Sequence, residues 1–252
     1  MPRTTGIRMN TLTSMNIPTS KGGMDTRQLT ALLQLSSPAL PIGGYSYSQG
    51  FEAAVDLELV HDEATACAWI RQQLELVIAQ CEAPVWALLF TGWADANWQG
   101  LGYWNKWFHS SRETREMRQE TEQMGWSLVK LATDLEWGEA ATRERILALP
   151  TVTLPTAHAY CVHALGINQT SGMAAYIFAW LENQVMAAIK TVPLGQMSGQ
   201  RILNQLRLGI PALCSEALSR AAHRPPRIHT LAPQLAILSS RHETQYSRLF
   251  RS

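Results

Sequence analysis

Charge is scarce in this chain. Only 16% of its 252 residues are Asp, Glu, Lys or Arg, where about 25% is usual for a globular domain. The net charge is +1 and neither sign gathers into a block. The clustered Lys/Arg footprint that nucleic acid requires is therefore missing, and no nucleic-acid role is expected. Cysteine is sparse too: Cys67, Cys81, Cys161 and Cys214 are scattered and form no CxxC pair. Cys67 and Cys81 fall on one face of a helical stretch, but the rise between them is ~21 Å, far beyond the ~7 Å reach of a disulfide. They read as small buried hydrophobes in a reducing cytoplasm. No apolar run approaches the ~18–20 residues of a membrane span, so a soluble protein without a membrane partner is expected. Strand signals are nearly absent, Thr151-Val152-Thr153 being the only short candidate.

What is present is apolar. Hydrophobic residues make up 46% of the chain and nine are tryptophan. A single domain of this length buries roughly 70–75% of its unfolded surface and needs no covalent staple. Low charge beside so many indoles points either to a large core or to a surface covered by partner chains.

The apolar period is helical almost throughout. Leu29, Leu32 and Leu33 start a helix behind Asp25 or Thr26, and the Pro- and Gly-rich segment 36–44 stops it. Phe51, Ala54 and Val55 mark a second helix. Asp62 caps a longer one carrying Cys67, Ile70, Leu74, Val77 and Ile78, and Pro84 suits the first turn of the next. Ser110 and Glu113 form a capping box ahead of Met117, Thr121, Met124, Leu128, Leu131 and Leu135, a packing seam that ends near Gly138. Pro155 opens a helix closed by Gly166. Another runs through Met173, Ile177, Leu181, Val185 and Ile189, and two more flank Gly209-Ile210-Pro211. Pro225-Pro226 ends the packed region. The expectation is an all-α, single-domain bundle of about ten helices over 25–226. Residues 1–24 carry Arg3, Arg8 and Lys21 and no acid; lacking an amphipathic stripe, they read as a disordered extension. Residues 227–252 read as a loose C-terminal tail.

Enzyme chemistry finds little support. His158, Cys161 and His163 place two ligands on one helix face, but a metal site needs three or four converging ligands and a second shell. The plainer interpretation is a half-buried helix with satisfied histidines. His242-Glu243 lacks the second histidine of HExxH, since Tyr246 stands there. Gly43-Gly44 has no lysine to meet a phosphate, and no GxSxG is present. No catalytic residues, metal site or cofactor are expected. Arg112, Arg115 and Arg118 step by three; an arginine finger for a GTPase is one use of such a stripe. With Glu113, Glu116, Glu120 and Glu122 interleaved, a salt-bridged solvent face is the commoner explanation.

Three stretches exceed what helix packing needs. Residues 37–52 read SPALPIGGYSYSQGFE, and the part Gly43, Gly44, Tyr45, Ser46, Tyr47, Ser48, Gln49 and Gly50 suits either a tight turn or a binding edge. Residues 193–203 read PLGQMSGQRIL. Gln196, Gln200 and Asn204 line amides along one helix face there, as a polar seam, a partner contact or a row facing water. The end, 242–252, reads HETQYSRLFRS. Tyr246, Leu249 and Phe250 fall at i, i+3 and i+4, an anchor pattern for a short helix entering a groove.

Together these stretches closely resemble the urease accessory protein UreF family, and Trp107, Arg112, Arg115, Glu120 and Met124-Gly125 are similar to its middle motif. The resemblance covers roughly residues 25–252. It implies an all-α dimer without catalytic activity. It further implies a complex with the accessory protein UreD (UreH in some species) and the GTPase UreG, which docks on apo-urease and couples GTP hydrolysis to nickel insertion. In such a complex the tail, through His242, Glu243, Tyr246, Arg248, Leu249 and Phe250, is a UreD contact, and 43–50 belongs to an interface or dimer region. Two alternatives stay open. One is a GTPase-activating protein supplying Arg112, Arg115 or another arginine in trans; the other is a small helical metal enzyme using His158, Cys161 and His163. The tail anchors are expected to lie outside the packed core, so that deleting 242–252 leaves a folded bundle.

Overall fold

The computed structural model describes residues 23–252, and the expectation for the N-terminal extension falls, up to residue 22, outside them. Eleven α-helices and no strand occur among the described residues: α1 Thr26–Leu35, α2 Phe51–Asp56, α3 Glu63–Ala94, α4 Trp98–Ser110, α5 Arg115–Asp134, α6 Ala140–Leu147, α7 Leu154–Ala164, α8 Gln169–Thr191, α9 Gln196–Arg207, α10 Ile210–Ala222 and α11 Pro233–His242. The all-α expectation holds. Asp25 and Asp62 cap α1 and α3 through capping boxes with Gln28 and Thr65, as their positions in the sequence require.

α3 is the axis of the bundle. α4, α7 and α10 pack along it, with α8 and α9 beside them. Ile70, Ile78, Leu89 and Trp86 on this helix are fully enclosed. By length and composition α3 is apolar enough to cross a membrane, contrary to the expectation from apolar runs, but 67% of the apolar window is buried within the protein itself.

Pro84 does not begin a new helix. The backbone passes through it, because Leu74–Glu82 immediately before adopts π-helical bonding. A proline inside an α-helix removes one donor and clashes with the carbonyl four residues earlier; a wider turn absorbs both. The carbonyl in question is that of Gln80, and it accepts from the His229 N–H at 3.0 Å. The chain beyond α10 is tied to the core by that bond.

The expected capping box at Ser110 is also displaced. Ser110 is the last residue of α4, and Thr114 caps α5 by accepting from the Met117 N–H. Met117, Thr121, Met124 and Leu128 then face the core as the seam predicts, while Leu135 at the helix end is exposed. Gly125 lets the chain cross α5: a Cβ there would stand 2.2 Å from the Val152 carbonyl oxygen. Thr151–Thr153 is no strand, because its polar groups are spent on Asn105. The Asn105 amide donates to the Thr151 carbonyl at 2.7 Å and accepts from the Thr153 N–H at 3.0 Å.

The tail departs most from expectation. Rather than hanging loose after Pro225-Pro226, it forms α11 against α2 and then returns to the bundle, with Phe250 and Ser252 buried.

Candidate partner-binding site at the C-terminal junction

The first and third stretches meet. Gly43 and Gly50 take left-handed backbone (φ +78° at both), which brackets one 3₁₀ turn and starts α2 at Phe51. The segment between them, buried at Tyr47 and Ser48, receives residues 251–252. The Ser48 N–H donates to the Ser252 carbonyl at 2.8 Å, and the Arg251 N–H donates to the Ser46 carbonyl at 2.8 Å. The Ser48 hydroxyl reaches the same Ser252 oxygen.

Carboxylates hold the rest. Glu52 on α2 accepts from the backbone N–H groups of Leu249 (2.7 Å) and Phe250 (3.0 Å). His242 at the end of α11 has no exposed surface and lies between two acids, with Nε2 3.1 Å from Glu52 Oε2 and Nδ1 2.7 Å from Glu116 Oε2. Each ring nitrogen thus has a carboxylate oxygen within hydrogen-bonding distance. Arg248 closes the set by donating to Glu116 Oε1 at 2.6 Å. The Thr114 and Ser239 hydroxyls pair at 2.8 Å beneath it.

Glu120, one turn further along α5, faces inward. Gln49 Nε2 donates to it at 2.6 Å and the Ser252 hydroxyl at 2.8 Å, while Trp180 Nε1 holds the other end of the Gln49 amide at 2.6 Å. Burial pushes the Glu120 carboxyl up to about 7. Beside it Glu82 accepts from Arg112 at 2.8 Å and from the Tyr176 hydroxyl at 3.0 Å. Desolvation next to that carboxylate raises Tyr176 well above the ordinary phenol value.

These contacts correct the solvent-face interpretation of α5. Glu120 is buried, Glu116 nearly so, and Arg112 is enclosed over the Phe108 ring, 4.3 Å from its centroid. Arg112 cannot serve as a finger while it neutralises Glu82. Arg118 is likewise occupied, with the Arg112 carbonyl at 2.6 Å. Arg115 is exposed.

The remaining candidates divide by exposure. Within 43–50 only Tyr45 is exposed, at 65%; Tyr47, Ser48 and Gly50 are buried in their own chain. In the tail His242 and Phe250 face inward, so neither is open to a partner while the tail is docked. Glu243, Tyr246, Arg248 and Leu249 face outward. Gln196, Gln200 and Asn204 are all exposed on α9, far along the chain from this junction, and form a row toward solvent rather than an internal seam. His158, Cys161 and His163 do not converge: His158 accepts from Trp86 Nε1 at 3.1 Å, whereas His163 packs edge-on to Phe90. Burial drives the Cys161 thiol up and His158 down to about 3. Among the described residues no group of three or more His, Cys, Asp or Glu is placed to hold a metal.

Glu52, Glu82, Glu116 and Glu120 organise the junction; the sequence placed Glu116 and Glu120 on a solvent face and gave Glu52 and Glu82 no such role. Glu116 and Glu120, on a helix rich in arginine, read as surface charge, and for all four acids only partners 30 to 198 residues away reveal the role.

A family model described as UreF matches residues 60–207. The urease accessory protein UreF of Bordetella parapertussis is 59% identical over 220 residues, 87% of this chain and 100% of that protein. That of Cupriavidus pinatubonensis is 56% identical over 226 residues, 90% of this chain and 98% of that protein. The bifunctional urease accessory protein UreEF of Bordetella bronchiseptica is 59% identical over 229 residues, and this chain spans 53% of its length.

Proposed function

The chain belongs to the UreF family of urease accessory proteins, and on that premise we propose that it is a non-catalytic scaffold for GTP-dependent insertion of nickel into apo-urease, joining UreD (UreH in some species) to the GTPase UreG. One observation carries the reading. The tail is pinned from within by His242 and Phe250 and presents Tyr246 (fully exposed) and Leu249 (72% exposed) on its outer side. A segment whose backbone is already fixed loses little conformational freedom on binding, and exposed aromatic and aliphatic anchors are what a partner groove takes. Tyr246, Leu249, Arg248 and Glu243 are accordingly the UreD contact.

The same reading includes a homodimer, with Tyr45 and the exposed Leu29 and Leu33 of α1 as apolar surface for it. It also includes a cytoplasmic location, which four buried free thiols suit. No membrane contact is needed, since α3 spends its apolar length on the core.

The test is a pull-down of the tagged full chain against co-expressed UreD and UreG, with the double variant Tyr246→Ala, Leu249→Ala beside it. The wild type is expected to yield a discrete three-component complex. The variant, folded as judged by circular dichroism, is expected to capture at least tenfold less UreD. Undiminished capture would remove the tail from the interface, and absence of any complex would sink the scaffold reading. The GTPase-activating alternative, in which Arg112, Arg115 or another arginine acts in trans, is left with Arg115 as the exposed member of the named pair. It requires that Arg115→Ala abolish stimulation of UreG while the complex still assembles.

A further inference from the structure

Glu120 ties α5 to the chain end. Its Oε1 accepts from Gln49 Nε2 of segment 43–50, whose amide oxygen is held in turn by Trp180 on α8. Its Oε2 stands 2.8 Å from the Ser252 hydroxyl. Two backbone bonds complete the closure, from the Ser48 N–H to the Ser252 carbonyl and from the Arg251 N–H to the Ser46 carbonyl, both 2.8 Å.

The charged and titratable groups around Glu120 are engaged elsewhere. On α3, Glu82 holds Arg112 at 2.8 Å and the Tyr176 hydroxyl of α8 at 3.0 Å. Glu116, one turn back on α5, is taken by His242 and Arg248. Tyr47 faces Glu120 from segment 43–50, with Arg251 of the tail beside that phenol. His158 of α7 and Glu182 and Lys190 of α8 line one cavity with it. His158 is bonded to Trp86, and Lys190 lies over the Tyr45 and Phe250 rings. Among the described residues Glu120 belongs to no ion pair. Its two hydrogen-bond partners are neutral.

An enclosed carboxylate with neutral donors alone is costly, whereas a protonated carboxyl is not. The geometry suits the protonated form. Gln49 occupies Oε1, and a proton on Oε2 meets the Ser252 hydroxyl, which accepts as well as donates. Loss of that proton leaves a buried charge that water relieves. Burial pushes the carboxyl up to about 7, so the change falls in the neutral range.

We propose that Glu120 is a proton-operated latch on the chain end: protonated, it holds residues 251–252 on segment 46–48, and ionised, it lets them open to water while the helices stay folded. The proposal stands independently of the scaffold reading, because it involves neither UreD nor UreG.

The experiment follows amide exchange of the full chain from pH 5 to pH 8, each rate divided by the intrinsic rate at that pH. The Ser48 and Arg251 amides report the chain end, and that of Leu89 on α3 reports the core. The end amides should be less protected than Leu89 throughout. Their protection should fall by about tenfold or more across the range and level off where the ¹³Cδ signal shows Glu120 ionised. In Glu120→Gln it should not vary with pH. Equal protection of end and core overturns the latch, because the end then opens only with the whole molecule. Wild-type protection independent of pH overturns it too, as does an undiminished fall in Glu120→Gln, which assigns the effect to another group. Exchange and ¹³Cδ shifts of the wild type decide the matter if the variant does not fold.

Discussion

Glu52 and His242 are separated by 190 residues, yet Glu52 Oε2 stands 3.1 Å from His242 Nε2. The same carboxylate takes two backbone N–H groups of the tail, at Leu249 and Phe250. One acid on a six-residue helix thus fastens both ends of the terminal segment.

Replacing Glu52 by Ala strips the partner from His242 Nε2 and from two backbone N–H groups, while Nδ1 keeps Glu116. Leaving a buried polar group without its partner costs about 1–3 kcal/mol, and here the loss falls on the tail first. Hydrogen exchange is the discriminating measurement. The amides of 239–252 should exchange much faster in Glu52→Ala, while those of α3 and α7 keep their ranking. Uniform acceleration across the molecule would mean that Glu52 supports the whole bundle rather than its closure.

Deletion of 242–252 should now be damaging rather than neutral. It strips partners from Glu52, Glu116 and Glu120 and uncovers the face that Phe250 fills. A marked fall in Tm is expected, whereas Tyr246→Ala with Leu249→Ala, both on the outer surface, should stay within about 0.5 kcal/mol per site of wild type. Equal thermal stability of the deleted and full chains would restore the loose-tail expectation.

Glu120 gives a stability signature against pH. Burial raises its folded-state value from the ordinary 4.5 to about 7. Between those values the folded chain keeps a proton that the unfolded chain has released, so stability falls as pH rises through the window. Glu120→Gln cannot ionise, and the Ser252 hydroxyl can turn to accept from the new amide. The variant should therefore gain on wild type from pH 4.5 to 7, by on the order of 1–3 kcal/mol, with the difference level above pH 8. Denaturant melts at four pH values measure it; a difference independent of pH would show that Glu120 does not titrate in that window.

The parts of the fold legible in sequence were those that local physics decides. Asp25 and Asp62 cap because a short acid before an apolar helical period satisfies free N–H groups. The seam on α5 follows from its four-and-three spacing. Pro84 does stand in a first α-helical turn, as its position requires, but that turn continues a helix already running through the π segment Leu74–Glu82, which no local signal announced. Ser110-x-x-Glu113 and Thr114-x-x-Met117 both precede the same helix, and the turn at the end of α4 chooses the second. The junction was half visible. Its two sequence stretches stood out as stretches, but a Leu-Phe pair near a chain end looks alike whether it enters a partner or, like Phe250, its own bundle. The acids that decide between these are ordinary glutamates until their distant partners are in place.

Gly125 tests the packing of α5 against the entry to α7. In an exposed helix, Gly→Ala stabilises by about 1 kcal/mol through reduced backbone freedom. Here the added methyl would lie 2.2 Å from the Val152 carbonyl oxygen and 2.8 Å from the Thr153 carbonyl carbon, both backbone atoms that no side-chain rotation can clear. Moving that backbone also strains the bond from the Leu154 N–H to Thr121 Oγ1 and the bonds of Asn105 to Thr151 and Thr153. Overpacking typically costs about 1–3 kcal/mol, and with several hydrogen bonds displaced the clash outweighs the helix gain. Gly125→Ala should lower stability by about 2 kcal/mol in denaturant melts, whereas Gly102→Ala on α4, where a Cβ meets nothing within 4 Å, should raise it slightly. If both substitutions stabilise, the close approach of 152–154 to α5 is not a feature of the folded protein.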